Sequence, residues 1–356
     1  MKNIVAFALV LSLCSGMVSC KKNAFREQMA ALDWGTDTCY VYGHKTPDAD
    51  AVCSALAYAQ LMRELGYNCE ARVSGPANRE TEYISGLFAF GLPAQKVSVA
   101  PGTRLIATDH EEYIQCVDGA RESHILQIID HHQAGDMAAA GVPYIRREAV
   151  GSTCTIIWEL YQEAKVPLDD TVAHILLAGI LSDTDNLAKP NTVQADTLAL
   201  QALAARLHIG SDSLAAVRTK MLDALSDYGG MSDYEIYVSD YKDYDMGGRA
   251  VGIGCVEWTD YAVMDGFIDR MLAVSPEVMA RKGRTMVFLM ATRYEADPVA
   301  PGKAVPTGTY ILYSGEGARE AAELVFGQSI RDGVCYSENR LVRKRDVVPA
   351  LTRIFQ

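Results

Sequence analysis

The sequence predicts an α/β chain of two bodies: an N-terminal doubly wound parallel-sheet domain and a smaller C-terminal α+β domain. Three observations predict it. Continuous apolar runs at 38–42, 69–74, 104–108 and 124–129 alternate with helical segments, as in a parallel sheet covered on both faces. The 356 residues, 49% of them apolar, suit two cores better than one. Beyond residue 232 the texture changes to strand-like runs at 249–256, 285–291 and 310–313 around one helical segment at 262–273.

The first twenty residues stand outside both bodies. A charged start is followed by an apolar run at 4–13, of secretory length and too short to span a bilayer. Ser15-Gly-Met-Val-Ser-Cys20 then places small residues before a cysteine, the pattern of a bacterial lipoprotein signal, with Met17 where leucine is usual. Residues 1–19 are expected to be removed and Cys20 to be lipidated, against the alternative of an ordinary cleaved signal. The mature chain would then sit at the bacterial cell envelope, on the periplasmic side, touching the membrane only through its lipid anchor. Lys21 and Lys22 would lie beside the lipid surface. Seven further cysteines (Cys39, Cys53, Cys69, Cys116, Cys154, Cys255 and Cys335) lack CxxC spacing and read as small buried hydrophobes.

Residues 36–222 form the expected first domain. A strand at 38–42 leads to a helix at 48–65 that stops at Gly66. A strand at 69–74, a helix at 81–90, a strand at 104–108 ending in Asp109, and a strand at 124–129 ending in Asp130-His131-His132 follow. Helices are expected at 150–162, 171–181, 195–207 and 213–223, the second running into Ser182-Asp183. Residues 223–232, with Gly229-Gly230, read as a linker, and 233–356 as the second domain. The Pro- and Gly-rich stretch at 296–308 reads as an exposed loop.

Chemistry gathers at the segment ends: His44, Asp48 and Asp50; Asp109; Asp130, His131 and His132; and Asp183. Singly, each has a plain structural explanation. An aspartate there caps a helix or makes a turn, and Asp50 favours the positive end of the helix it starts. Jointly these explanations fail, because four segments bring carboxylates and imidazoles to the carboxyl edge of one sheet, where such folds bind ligands. Such a set without thiolates suits Mn²⁺ or Mg²⁺, with Co²⁺ or Zn²⁺ open. The aspartates exceed one ion's need, and a carboxylate bridging two ions about 3.5–4 Å apart is the usual solution. Two ions that activate water and hold phosphoryl oxygens point to phosphoryl hydrolysis. Arg340-Leu-Val-Arg343-Lys344-Arg345 is the densest basic cluster and can face the metals if the second domain closes over the first. The net charge of −12 argues against a nucleic-acid partner.

His44-Lys-Thr-Pro-Asp48-Ala-Asp50, Thr108-Asp109-His110, Asp130-His131-His132 and Ser182-Asp183 resemble the four motifs of the DHH phosphoesterase superfamily. Together with 342–349 (VRKRDVVP), they resemble its manganese-dependent family II inorganic pyrophosphatases with a DHHA2-type second domain. Further matches are 78–81 (NRET), 148–155 (EAVGSTCT) and 189–192 (KPNT). The resemblance covers about residues 38–356. It implies two divalent ions, manganese first, with magnesium or cobalt open. His44, Asp48 and Asp109 would hold one ion. Asp50, Asp109, His131 and Asp183 would hold the other, with Asp109 bridging. It further implies that His132 touches the phosphate near the leaving group, that Asp130 orients the histidine pair, and that Arg343 and Lys344 bind the distal phosphate. A hydroxide between the ions would attack phosphorus in line. The family has a lysine where Asp223 stands here, and Lys220, three residues earlier, is expected to substitute for it. The implied activity is hydrolysis of a small phosphoanhydride, diphosphate first. An exopolyphosphatase or nucleoside-polyphosphate phosphohydrolase is the alternative, and a non-catalytic, lipid-anchored metal- or phosphate-binding protein a third. A homodimer is left open.

Overall fold

The computed structural model describes residues 23–258, 264–296 and 304–356. The expected signal at 1–19 and Cys20 lie outside them.

The strands β1 (Cys39–Tyr42), β2 (Cys69–Arg72), β3 (Arg104–Thr108), β4 (His124–Asp130) and β5 (Tyr144–Arg147) form one parallel sheet. Their order is β2-β1-β3-β4-β5. Val41, Ile106, Ile128 and Ile129 are fully buried, as strands covered on both faces require. After β1 the chain steps to one side to make β2, then returns to the other side of β1 for β3. The order therefore reverses between β1 and β3, and a crevice opens at their carboxyl ends. His44 and Asp109 emerge there. β5 and a short first helix, α1 (Ala24–Ala30), were not expected; α1 buries Phe25 and Met29 in the core.

Helix α2 (Ala49–Glu64) packs between the sheet, α4 (Thr153–Ala164) and α5 (Asp170–Thr184). Its alanines 49, 51, 55, 57 and 59 are fully buried, and these small side chains let backbones approach closely. Two glycines set the approach. A Cβ on Gly43 would meet the Ala51 carbonyl at 2.5 Å, so only glycine lets the loop after β1 lie on α2. A Cβ on Gly179 would meet Cys154 Sγ at 2.4 Å and Asp50 Oδ1 at 3.0 Å, so α5 can close on α2 only at a glycine. Helix α5 runs past the expected end at 181, and Asp183 sits in its last turn instead of a following loop. Helices α3 (Arg79–Leu87), α6 (Gln194–Arg206) and α7 (Ser211–Leu225) complete this body. α7 ends two residues past the expected helix end at 223, inside the expected linker.

The second body holds α8 (Asp233–Tyr237), β6 (Asp240–Met246), β7 (Arg249–Trp258), α9 (Met264–Lys282), β8 (Met286–Ala296), β9 (Ala304–Gly315), α10 (Ala318–Phe326), β10 (Val334–Ser337) and α11 (Val348–Phe355). The sheet order is β10-β9-β8-β7-β6, and only the β7–β8 pair is parallel. α8 and α9 cover one face; α10 and α11 cover the other. Helix α9 continues nine residues past its expected end, through Pro276. Proline leaves the Leu272 carbonyl without its helical donor, and Ser275 Oγ donates to that oxygen at 2.7 Å. Of the expected loop at 296–308, residues 297–303 lie outside the described residues, and the described part is strand: β8 ends at Ala296 and β9 begins at Ala304. The strand tolerates Pro306 and Gly308 because the β8–β9 register shifts opposite them.

Candidate metal centre

The centre starts at the N-terminus of α2. Asp48 is the helix cap, its Oδ1 accepting from the Ala51 N–H at 3.0 Å. Its second oxygen, Oδ2, lies 3.2 Å from His44 Nε2. One Asp48 oxygen thus caps the helix while the other faces the group that could hold a metal. Asp50, two residues on, is buried under the N-terminus of α4. It accepts from Ser152 Oγ (2.6 Å), the Thr153 N–H (2.7 Å) and the Cys154 N–H (3.2 Å). Despite these bonds, burial and the neighbouring Asp109 and Asp183 push its carboxyl up to about 8.

Asp109 leaves β3 with a left-handed backbone, φ +63°. A non-glycine residue held there costs on the order of 1–3 kcal/mol. The turn aims its two oxygens opposite ways: Oδ2 lies 3.4 Å from His44 Nε2 and Oδ1 lies 3.2 Å from His131 Nε2. Thr153 Oγ1 donates to Oδ1 at 2.9 Å and fixes the carboxylate. His131 Nε2 also lies 3.1 Å from Asp183 Oδ2 and 3.9 Å from Asp50 Oδ2. Two ligand groups thus form, His44/Asp48/Asp109 and Asp50/His131/Asp183, and Asp109 faces both. The set expected from the sequence is brought together in full.

These groups fit divalent ions. Four crowded carboxylates and two imidazoles with no thiolate are the donors Mn²⁺ takes. Against its burial and the charge of Lys242, Asp48 and Asp109 raise His44 to about 9. His131 Nδ1 faces the Val150 carbonyl at 3.2 Å, which turns Nε2 to the centre.

Asp130 organises the histidine pair. Its Oδ1 accepts from the backbone N–H of His131 (2.8 Å) and of His132 (3.1 Å), and faces His132 Nδ1 at 2.7 Å. This leaves His132 Nε2 for the cleft. Burial pulls His132 down to about 4, against the attraction of Asp130.

The second domain brings the cations. Arg343 and Lys344 stand on a tight turn, Arg343–Val347, pinned by the Val342 N–H donating to Asp346 Oδ2 at 2.7 Å. Arg343 is aimed by Asp240, through Oδ1 (2.6 Å) and the backbone carbonyl (2.9 Å). Lys344 Nζ lies 2.7 Å from His131 Nε2 and 3.2 Å from Asp183 Oδ2. Against its burial, Lys344 and Lys189 hold Asp183 well below the usual carboxylate range. Between the ligands and this turn lies a cavity of about 110 Å³.

Lys220 does not join them. It is exposed, and its helix turns Arg218 inward instead. Arg218 pairs with Glu80 (2.9 Å) and Asp185 (2.7 Å) beside Asp183. On α7 the buried positions are 214, 218, 221 and 222, so helical spacing places Arg218 on the inner stripe and Lys220 off it. Asp196 was also missed: its carboxylate accepts from the Gly151 and Val193 N–H groups, each at 2.8 Å, and from Thr155 Oγ1 at 2.7 Å. It thereby fixes the loop that carries Ser152 and Thr153 to Asp50 and Asp109.

The chain matches two family models: the DHH family N-terminal domain over residues 38–180 and the DHHA2 domain over 219–354. It is 30% identical to a probable manganese-dependent inorganic pyrophosphatase of Clostridium acetobutylicum, across 89% of this chain and 97% of the relative. It is also 30% identical to a manganese-dependent inorganic pyrophosphatase of Methanothrix thermoacetophila, across 90% and 99%. A crystal structure from Methanococcus jannaschii, assigned to family II inorganic pyrophosphatase, superposes with a TM-score of 0.76 at 29% identity, covering 89% of this chain and 99% of that one.

Proposed function

We propose, since the chain belongs to the family of manganese-dependent inorganic pyrophosphatases built from DHH and DHHA2 domains, that it hydrolyses diphosphate to two phosphates. One observation carries the reading: Asp109 gives one oxygen to each of two ligand sets, the layout a two-ion hydrolase needs. His44, Asp48 and Asp109 would hold one manganese ion, and Asp50, Asp109, His131 and Asp183 would hold the other. When bound there, such ions would supply Lewis-acid chemistry, offsetting the charge of phosphoryl oxygens and lowering the cost of making water a nucleophile.

The chain's own groups do the rest. Arg343, aimed by Asp240, binds the phosphate away from the attack, and Lys344 adds a point charge beside it. His132, held by Asp130, turns Nε2 toward the leaving group and serves it as a hydrogen-bond or proton partner. The buried walls keep bulk water out and strengthen these charges.

A longer polyphosphate or a nucleoside polyphosphate is the second reading. The cavity of about 110 Å³ favours diphosphate, since sites for larger ligands run from about 300 Å³ upward. Rates on diphosphate, triphosphate and nucleoside triphosphate with Mn²⁺ or Mg²⁺ separate them. Diphosphate with Mn²⁺ is expected to lead by tenfold or more; a preference of only a few-fold moves the chain to the second reading.

The lipid anchor is a further part of the proposal and rests on residues 1–20. The small residues before Cys20 make it the proposed tether; among the described residues no helix is long and apolar enough to cross a membrane. Labelled palmitate is expected in the full chain and not in Cys20→Ala. An unlabelled chain in the soluble fraction would contradict it.

A further inference from the structure

The DHH match begins at residue 38 and does not account for α1 or the turn after it. This segment is nonetheless fastened to the first domain. Asn23, the cap of α1, donates through Nδ2 to the Glu163 carbonyl at 2.5 Å, and Arg26 Nε donates to the Ala164 carbonyl at 2.8 Å. Phe25 meets the Tyr144 ring edge-on, with both α1 apolar side chains, Phe25 and Met29, buried. Trp34 stacks on Tyr67 and donates to the Met29 carbonyl at 2.7 Å, while Arg104 donates to the Asp33 carbonyl at 2.8 Å.

These contacts share one place. Arg104 and Tyr144 open β3 and β5, Tyr67 lies just before β2, and Glu163 and Ala164 close α4. The strands are parallel, so their first residues form one edge of the sheet, and the candidate metal centre lies at the other. Helix α4 says the same. Thr153, its first residue, bonds to Asp50 and Asp109, and its 12 residues then run about 18 Å away from them. α1 is therefore fixed to the end of the first domain opposite the centre. Only Lys21 and Lys22 separate Asn23 from Cys20, the proposed tether. Three residues of chain reach at most about 11 Å when fully extended. A lipid on Cys20 thus brings this end of the domain to the bilayer surface, with no length of chain in which the body could turn over. Lys21 and Lys22 add attraction to anionic headgroups.

We propose that the surface around α1 and the end of α4 faces the membrane, its partner being the lipid surface in which Cys20 is anchored. This rests on Cys20 being the tether. The first sheet and its helices then stand between the lipid and the metal centre, and the cleft opens on the aqueous side. Its substrate is therefore a water-borne phosphoanhydride. A diphosphate held in the same bilayer by a prenyl chain does not reach the centre.

The test is lysine footprinting of the manganese-loaded chain on vesicles of phosphatidylethanolamine and phosphatidylglycerol, beside the soluble Cys20→Ala chain. Lys165, exposed just past α4, reports on the proposed surface; Lys220, exposed on α7 near the inward Arg218, reports on the cleft end. On vesicles Lys165 is expected to react at least about threefold more slowly than in the soluble chain, because the interface shields it from water-borne reagent, and Lys220 at an unchanged rate. A flexible Gly-Ser spacer of about 20 residues between Lys22 and Asn23 is expected to restore the Lys165 rate. Diphosphate in solution is expected to be hydrolysed equally fast by both chains, and a prenyl diphosphate embedded in the vesicles not at all. Equal Lys165 rates in the two chains, with the parent floating with the vesicles, overturn the proposal. Slower labelling of Lys220 in place of Lys165, or phosphate release from the embedded prenyl diphosphate, also overturns it. So does shielding of Lys165 in the soluble chain as its concentration rises, which would make the surface a contact between copies. A parent that does not float with the vesicles removes the tether and this inference with it. Shielded Lys165 in a chain inactive on diphosphate removes the functional reading and leaves the surface standing.

Discussion

Arg340 of the second domain forms a buried ion pair with Asp185, the residue that ends α5 in the first. Asp185 accepts a second arginine, Arg218, at 2.7 Å, and Arg218 reaches on to Glu80. One carboxylate therefore ties the closed cleft together, two residues past Asp183 of the candidate metal centre.

The first prediction concerns this tie. Asp185→Asn leaves two buried guanidinium groups short of charge and should cost about 3–5 kcal/mol. Limited proteolysis should then cut faster within 226–232, between α7 and α8, while the sheet of the first domain keeps its hydrogen-exchange protection. Equal cleavage rates in parent and variant would show that the tie does not hold the domains closed.

A second prediction separates a bridging ligand from a terminal one. The parent should bind two Mn²⁺ per chain. Asp109→Asn should weaken both sites by at least about tenfold, the low end of what even outer-shell changes cost. Asp50→Asn should weaken one. Manganese titration followed by electron paramagnetic resonance distinguishes the patterns, because loss at a single site in Asp109→Asn excludes the bridge.

Third, Asp130 should act through His132. Asp130→Asn keeps an oxygen for the two backbone N–H groups and removes the charge facing His132 Nδ1. A fall in kcat of about tenfold is expected, and His132→Gln alone should lose roughly 10²–10⁴-fold if the imidazole transfers a proton. Adding Asp130→Asn to His132→Gln should change kcat less than twofold. Additive losses would give Asp130 a role of its own.

A fourth prediction tests the helix approach that assembles the centre. Gly179→Ala puts a methyl group against Cys154 Sγ and Asp50 Oδ1. Overpacking of this kind costs about 1–3 kcal/mol. Manganese affinity should fall with stability, since α2 and α5 carry Asp50 and Asp183. A drop in melting temperature with unchanged manganese affinity would uncouple the two.

Much of the centre was legible because its ligands are bound to chain landmarks. His44, Asp109 and the 130–132 triplet each follow an apolar strand, and parallel topology sends such ends to one edge. What was missed lies where several elements converge. Lys220 and Arg218 both sit on α7, and only the buried stripe shared with Leu214, Met221 and Leu222 selects Arg218. Lys242 lines the cleft from β6 (240–246), a strand that no apolar run announces in the sequence. Residues 304–308 read as part of a loop because proline and glycine usually interrupt strands; a register shift accommodates Pro306 and Gly308. Asp185 reads as a helix-end residue in sequence, and its partner Arg340 lies 155 positions away.

The most direct test is the initial rate of phosphate release from diphosphate by the purified, manganese-loaded chain, beside the same chain stripped of metal. The loaded chain should release two phosphates per diphosphate consumed, and the stripped chain should regain that rate when Mn²⁺ is restored. No release above that of Mn²⁺ in buffer, from a folded chain shown to hold two manganese ions, would contradict the assignment of this centre to diphosphate hydrolysis.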